Sequence, residues 1–94
     1  MKELLWTTQA IEDRESIYAF IEADNPAAAL ALDTLFGQKS SRLGEHPNIG
    51  RNGRVANTRE WVLHSNYILV YDIVDTQVRV LRLLHTARAH AERD

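Results

Sequence analysis

The chain has 94 residues, 45% of them hydrophobic and 26% charged, which is the composition of one ordinary globular domain spanning 1–94. It holds no cysteine, which excludes a disulfide framework, a thiolate nucleophile and a cysteine zinc site. No apolar run approaches ~20 residues, and the opening MKELLWTTQ is too short an apolar stretch for a secretory signal, so a cytoplasmic protein without a membrane span is expected.

Lys2–Trp6 is short and apolar and reads as a first strand. Thr7 or Thr8 can cap a helix after it, because a hydroxyl oxygen accepts a bond from an otherwise unpaired amide. Glu12, Asp13 and Glu15 in the early turns suit the helix dipole. Ala10, Ile17, Phe20 and Ile21 mark its apolar face, and the helix is predicted to run to about Ala23. Asp24-Asn25-Pro26 then punctuates the chain, with Asn25 as N-cap and Pro26 at the first helical position. A second helix is predicted from there, its face marked by Ala28, Leu32, Leu35, Phe36 and Leu43, with the stem of Lys39 at the edge. Gly44 is its expected terminator and Pro47 enforces the stop. So short a connection predicts an antiparallel helix hairpin.

Residues 46–57, HPNIGRNGRVAN, read as a loop rich in glycine and asparagine. Three strands follow: Thr58–His64, Tyr67–Val74 and Gln77–His85, joined by the turns Ser65-Asn66 and Asp75-Thr76. The run YILVYDIV is nearly all β-branched or aromatic, as in a central strand buried on both faces. Strict alternation in the last strand would put Val78, Val80, Arg82 and Leu84 on one face and Arg79, Leu81, Leu83 and His85 on the other. A short tail over residues 87–93 reads as helical. The fold class is therefore α+β in the order β-α-α-β-β-β, a helix hairpin packed on a small, mainly antiparallel sheet.

The net charge of −2 hides an asymmetry. Residues 1–45 carry four basic and eight acidic side chains, and residues 46–94 seven basic and five acidic. All seven basic residues of the second half are arginines, whose planar fork suits carboxylate and phosphate. Arg82, within an apolar strand, needs either water or an acid such as Asp13 or Glu15. The four histidines lack the spacing of a metal site, and no cofactor motif is present. His85 as acid or base with Arg88 on a phosphate would suit RNA cleavage. Trp61 and Tyr67, near Arg59, are the right types to stack on bases or to fill a core.

Taken in order, IEDRESIYAFI, NPAAA, HPNIGR, TRE leading into NYILVYDI, and VRVLRLLHTAR resemble the RelE/ParE superfamily of toxins from bacterial toxin–antitoxin modules. The resemblance covers most of the chain and implies the RelE/ParE toxin fold. It also implies two chemistries: RelE-like members cut mRNA on the ribosome, and ParE-like members inhibit DNA gyrase. RelE-like nucleases carry an arginine in a Tyr-Arg-Leu-Val-Tyr run on the central strand, where this chain has Tyr67-Ile68-Leu69-Val70-Tyr71. Of two basic positions on the preceding strand, Arg59 is basic and Trp61 is not. Arg88 matches an arginine beyond the last strand, and a terminal tyrosine has no counterpart. The LLHTAR ending resembles the ParE side. A ParE-like gyrase inhibitor is therefore expected, with Arg82, Arg88, His85, Arg59 and Trp61 as target-binding residues. The alternatives are a ribosome-dependent mRNA interferase using His85, Arg59 and Arg88, and an inactivated module that only binds antitoxin. Each reading implies a cognate antitoxin, with operator DNA reached only through it. Arg51 and Arg54 receive no role from the sequence.

Overall fold

A computed structural model describes residues 1–86. The element order is β1 (Glu3–Trp6), α1 (Thr8–Glu22), α2 (Pro26–Glu45), β2 (Arg51–Asn52), β3 (Arg59–His64), β4 (Tyr67–Val74) and β5 (Gln77–His85). The strands form one sheet in the order β1-β5-β4-β3-β2. Neighbours are antiparallel except the first and last strands of the chain: β1 runs parallel to β5, with Leu4 opposite Val78 and Trp6 opposite Val80. The α+β arrangement expected from the sequence is the one found. It gains β2, a two-residue strand inside the stretch expected to be loop, pairing Arg51 with Glu60 and Asn52 with Arg59. The expected tail helix, with Arg88, lies outside the described residues.

Local chemistry sets the helix ends. Thr7 is the cap of α1, its Oγ1 accepting from the Ala10 amide at 3.2 Å. Asn25 caps α2 through Oδ1 and the Ala28 amide at 3.1 Å. Gly44 has a different role from the terminator expected: α2 runs on to Glu45, and Gly44 admits β1. The Lys2 amide donates to the Gly44 carbonyl at 2.8 Å, and a Cβ there would lie 2.7 Å from the Lys2 carbonyl oxygen.

Both helices cover one face of the sheet. Ala10, Phe36 and Leu43 meet Leu63, Leu69, Tyr71, Val78, Val80 and Leu83 in the main core. Two expected face residues fall outside it. Phe20 is 83% exposed, because it sits about 80° around α1 from the buried line through Ala10, Ile17 and Ile21. On α2 the buried alanine is Ala29 and not Ala28, since the seven-residue spacing Ala29, Phe36, Leu43 returns to one line. The opposite, outer face carries a smaller apolar row of Ile68, Val70 and Leu84. Ile68 through Tyr71 are all buried, so β4 is covered on both faces as its composition predicted.

The alternation expected in β5 is broken. Tyr71 pairs with Val80 but Val70 pairs with Arg82, so Leu81 is an extra residue, a β-bulge. Beyond it the faces exchange: Leu83, not Arg82, joins Val78 and Val80 in the main core. A second irregularity lies in β3 between Val62 and His64, and there the Lys39 ammonium donates to the Leu63 carbonyl at 2.8 Å.

Candidate functional site

A groove of about 560 Å³ opens between α1 and the free flank of β5, where β1 has already ended. Gln9, Asp13, Ile17 and Phe20 line it from the helix, and Arg82, Leu83, Leu84 and His85 from the strand, with Tyr67 behind. An open strand edge exposes unpaired backbone groups. Here α1 meets them with side chains. The Thr7 hydroxyl donates to the carbonyls of Val80 at 2.9 Å and Leu81 at 3.3 Å, on either side of the bulge. The Asp13 carboxylate accepts from the Leu83 amide at 3.0 Å and from Arg82 Nε at 2.8 Å through one oxygen. Its other oxygen accepts from Arg82 Nη2 at 3.3 Å and from the Gln9 amide nitrogen at 3.2 Å. The acid partner foreseen for Arg82 is therefore Asp13. Arg82 itself stands opposite Val70 on the outer side of the sheet, and its fork turns over the strand edge to reach that carboxylate.

His85 ends β5 at the same groove. Its ring meets Tyr67 edge-on at 5.3 Å, and Tyr67 in turn lies 6.1 Å from His64 and 5.3 Å from Phe36. Burial pushes the Tyr67 phenol above its ordinary value.

The other sequence-derived candidates are elsewhere. Arg59 stands opposite Tyr71 on the helix-facing side of β3 and donates Nη1 to the Gly50 carbonyl at 2.8 Å. Trp61 is half-buried against the main core. The structure thus gathers Arg82 and His85 into one groove and separates Arg59 and Trp61 from them by a whole strand. Arg88 is outside the described residues. Among those residues no group of three or more His, Asp or Glu is placed to hold a metal ion, and no helix is long and apolar enough to cross a membrane.

Sequence reading missed the far edge of the sheet. Tyr71 is fully buried, donates its hydroxyl to the Pro47 carbonyl at 2.7 Å and accepts from the Gly50 amide at 3.0 Å. Burial raises its phenol, against smaller lowering by the Gly50 amide and by Arg59. Glu60, 3% exposed, accepts from the Arg54 amide at 3.2 Å and lies 3.5 Å from Arg51. Both side chains tie the loop before β3 to the sheet. The available signal was at Tyr71, whose neighbours two positions away on β4, Leu69 and Ile73, are apolar, whereas Glu60 sits beside Arg59 and carries no such mark.

This architecture, a helix hairpin over one face of a five-stranded mixed sheet, is that of the small RelE/ParE-like toxins. Residues 4–90 match the family model described as the ParE toxin of the type II toxin–antitoxin system parDE, and the chain belongs to that family. It is 31% identical over 88 residues to Toxin RelE2 of Caulobacter vibrioides, covering 94% of this chain and 99% of that one. It is 38% identical over 85 residues to the Y4kP protein of Sinorhizobium fredii, covering 89% and 88%. In fold it is similar to a chain of the chromosomal ParDE system from P. aeruginosa, with a TM-score of 0.82, 21% identity and coverage of 90% and 96%. The toxin–antitoxin complex RelBE2 of Mycobacterium tuberculosis gives a TM-score of 0.58 at 25% identity, covering 89% and 96%.

Proposed function

We propose that this toxin inhibits DNA gyrase and is neutralised by a cognate antitoxin that covers its charged groove. The observation that carries the reading is Ile68. The resemblance to the nuclease branch puts an arginine at this place on the central strand, and here the side chain is buried in an apolar row with Val70 and Leu84. Cleaving RNA requires activation of a 2′-hydroxyl and stabilisation of a charged phosphorane, and an isoleucine among aliphatic neighbours supplies neither. Arg59, the remaining basic candidate on β3, is held by the Gly50 carbonyl on the other side of the sheet. The match to the ParE family model supports the same side of the superfamily. A neighbouring structure is a RelBE2 toxin–antitoxin complex, which supports an antitoxin as this chain's partner. Operator DNA is then contacted by that antitoxin and not by this net-acidic chain.

The test is a supercoiling reaction with purified gyrase, relaxed plasmid and ATP. Loss of supercoiled product, or accumulation of cleaved plasmid, is expected on adding the toxin. Full supercoiling alongside codon-specific cleavage of mRNA on programmed ribosomes would overturn the reading in favour of an interferase built around His85.

A further inference from the structure

Four arginines of the described residues are matched with acids: Arg14 with Asp33, Arg51 with Glu60, Arg79 with Asp72 and Arg82 with Asp13. Arg59 departs from that pattern. It is half-buried, and among the described residues its guanidinium has one hydrogen-bond partner, the neutral Gly50 carbonyl at 2.8 Å, and no carboxylate. A guanidinium drawn partly out of water with its charge unanswered is costly unless an anion meets it.

The surroundings suit an anion. Arg59 lines an open pocket of about 510 Å³ at a corner of the sheet, with Asn48, Asn52, Asn57 and Ile73. Three strands bring these residues together. Asn52 on β2 stands directly opposite Arg59, and Ile73 lies two positions beyond Tyr71, the partner of Arg59 on β4. Directly opposite residues share a face of a sheet. Asn48 and Asn57 come from the loop on either side of β2, Asn57 with φ 65°, a left-handed conformation that asparagine tolerates. No acid lines the pocket, and residues 46–59 hold three arginines without an aspartate or glutamate. The next acid, Glu60, is buried and turned to Arg51 and the Arg54 amide. The pocket is on the opposite face of the sheet from Ile68 and a strand away from the β5 groove, so it is neither the place of the nuclease arginine nor the groove already described.

We infer that this pocket is a phosphate-binding site, in which Arg59 supplies the charge and the asparagine amides supply neutral donors. A phosphate group has three terminal oxygens to share among donors coming from several directions, whereas a carboxylate has two. Bound there, it would bridge the loop to β3. The inference stands apart from the gyrase reading and does not depend on it.

The test titrates the full chain with sodium phosphate and, separately, with adenosine 5′-monophosphate, each against sodium chloride at matched ionic strength. The readout is the NMR shift of the asparagine side-chain amides. Saturating shifts are expected at Asn48, Asn52 and Asn57, with affinity falling about tenfold in Arg59→Gln, since a hydrogen bond to a charged group carries that order of effect. Tighter binding of the nucleotide would identify a nucleotide as the source of the phosphate, and equal binding the phosphate group by itself. Acetate bound as tightly as phosphate would overturn the choice of phosphate. Shifts that are absent, or as strong in Arg59→Gln, would overturn the site. Should Arg59→Gln fail to fold for want of its bond to Gly50, Asn52→Asp takes its place. That variant keeps the bond and sets a negative charge in the pocket, and undiminished phosphate binding there is equally fatal.

Discussion

The two flanks of the sheet are closed by opposite means. At β5, a helix lends side chains to an exposed edge: the Thr7 hydroxyl and Asp13 carboxylate reach backbone groups, and Arg82 is left 37% exposed at the rim. At β2 and β3, the sheet lends side chains to a loop: the buried Tyr71 hydroxyl and Glu60 carboxylate reach outward to Pro47, Gly50 and Arg54. The first arrangement leaves the Arg82 end of its ion pair partly in water, where a lost bond is replaced more cheaply. The second buries its polar groups, where a lost bond leaves an unpaired donor or acceptor at full desolvation cost. The lesson is that the loop flank is the costlier of the two to disturb.

The contrast is sharpest at Gly50. A Cβ there would lie 2.8 Å from the Tyr71 hydroxyl and 2.9 Å from the Glu60 carbonyl. Gly50→Ala is therefore expected to cost about 3 kcal/mol or more, seen as a lower urea midpoint. Next is Tyr71→Phe, which strands the Gly50 amide and Pro47 carbonyl and should cost about 2–3 kcal/mol. That variant also carries a pH signature. The raised phenol means that the folded chain holds this proton more tightly than the unfolded chain. Its contribution to stability is complete below the ordinary phenol value of 10.0 and is lost as pH rises through the higher folded value. Alkaline unfolding should lose this step in Tyr71→Phe, and an unchanged profile would remove Tyr71 from the account.

On the other flank, Thr7→Val removes a cap and the bonds to the bulge, with an expected loss of about 1–2 kcal/mol. Amide exchange should quicken first at Ala10, whose donor it leaves uncapped. The smallest effect belongs to Arg14, which pairs with Asp33 at 2.6 Å and lies 4.9 Å over the Trp6 ring. Both partners of that pair are about one-third exposed, so Arg14→Ala should cost no more than about 1 kcal/mol. A loss at Arg14 as large as that at Tyr71 would collapse the distinction between the flanks.

Much of this architecture is legible in the chain. The bounds of β4 and β5 follow from β-branched runs closed by Ser65-Asn66 and Asp75-Thr76, and both caps follow from residue type. The bulge does not, because LRLL reads as equally good alternation in either register and only pairing with β4 reveals the extra residue. Phe20 and Ala28 were misplaced for a related reason: both are apolar and helical, and only the partner surface decides which line on the helix is buried. The candidate site was half legible. Arg82 and its acid partner follow from the cost of an arginine in an apolar strand. That Arg59 and Trp61 lie a strand away from Arg82 follows from the two short turns, which place β4 between β3 and β5.

The parallel pairing of β1 with β5 also sets a schedule. Thr7 and Val80 are 73 positions apart, and Asp13 and Arg82 are 69 apart. Closing such separations is slow, because loop entropy is spent before any contact returns it. During synthesis the first strand emerges early and has nothing to pair with until the last strand is made. The arginine clamp is therefore assembled only after β5 has been made, long after the helix that supplies its carboxylate.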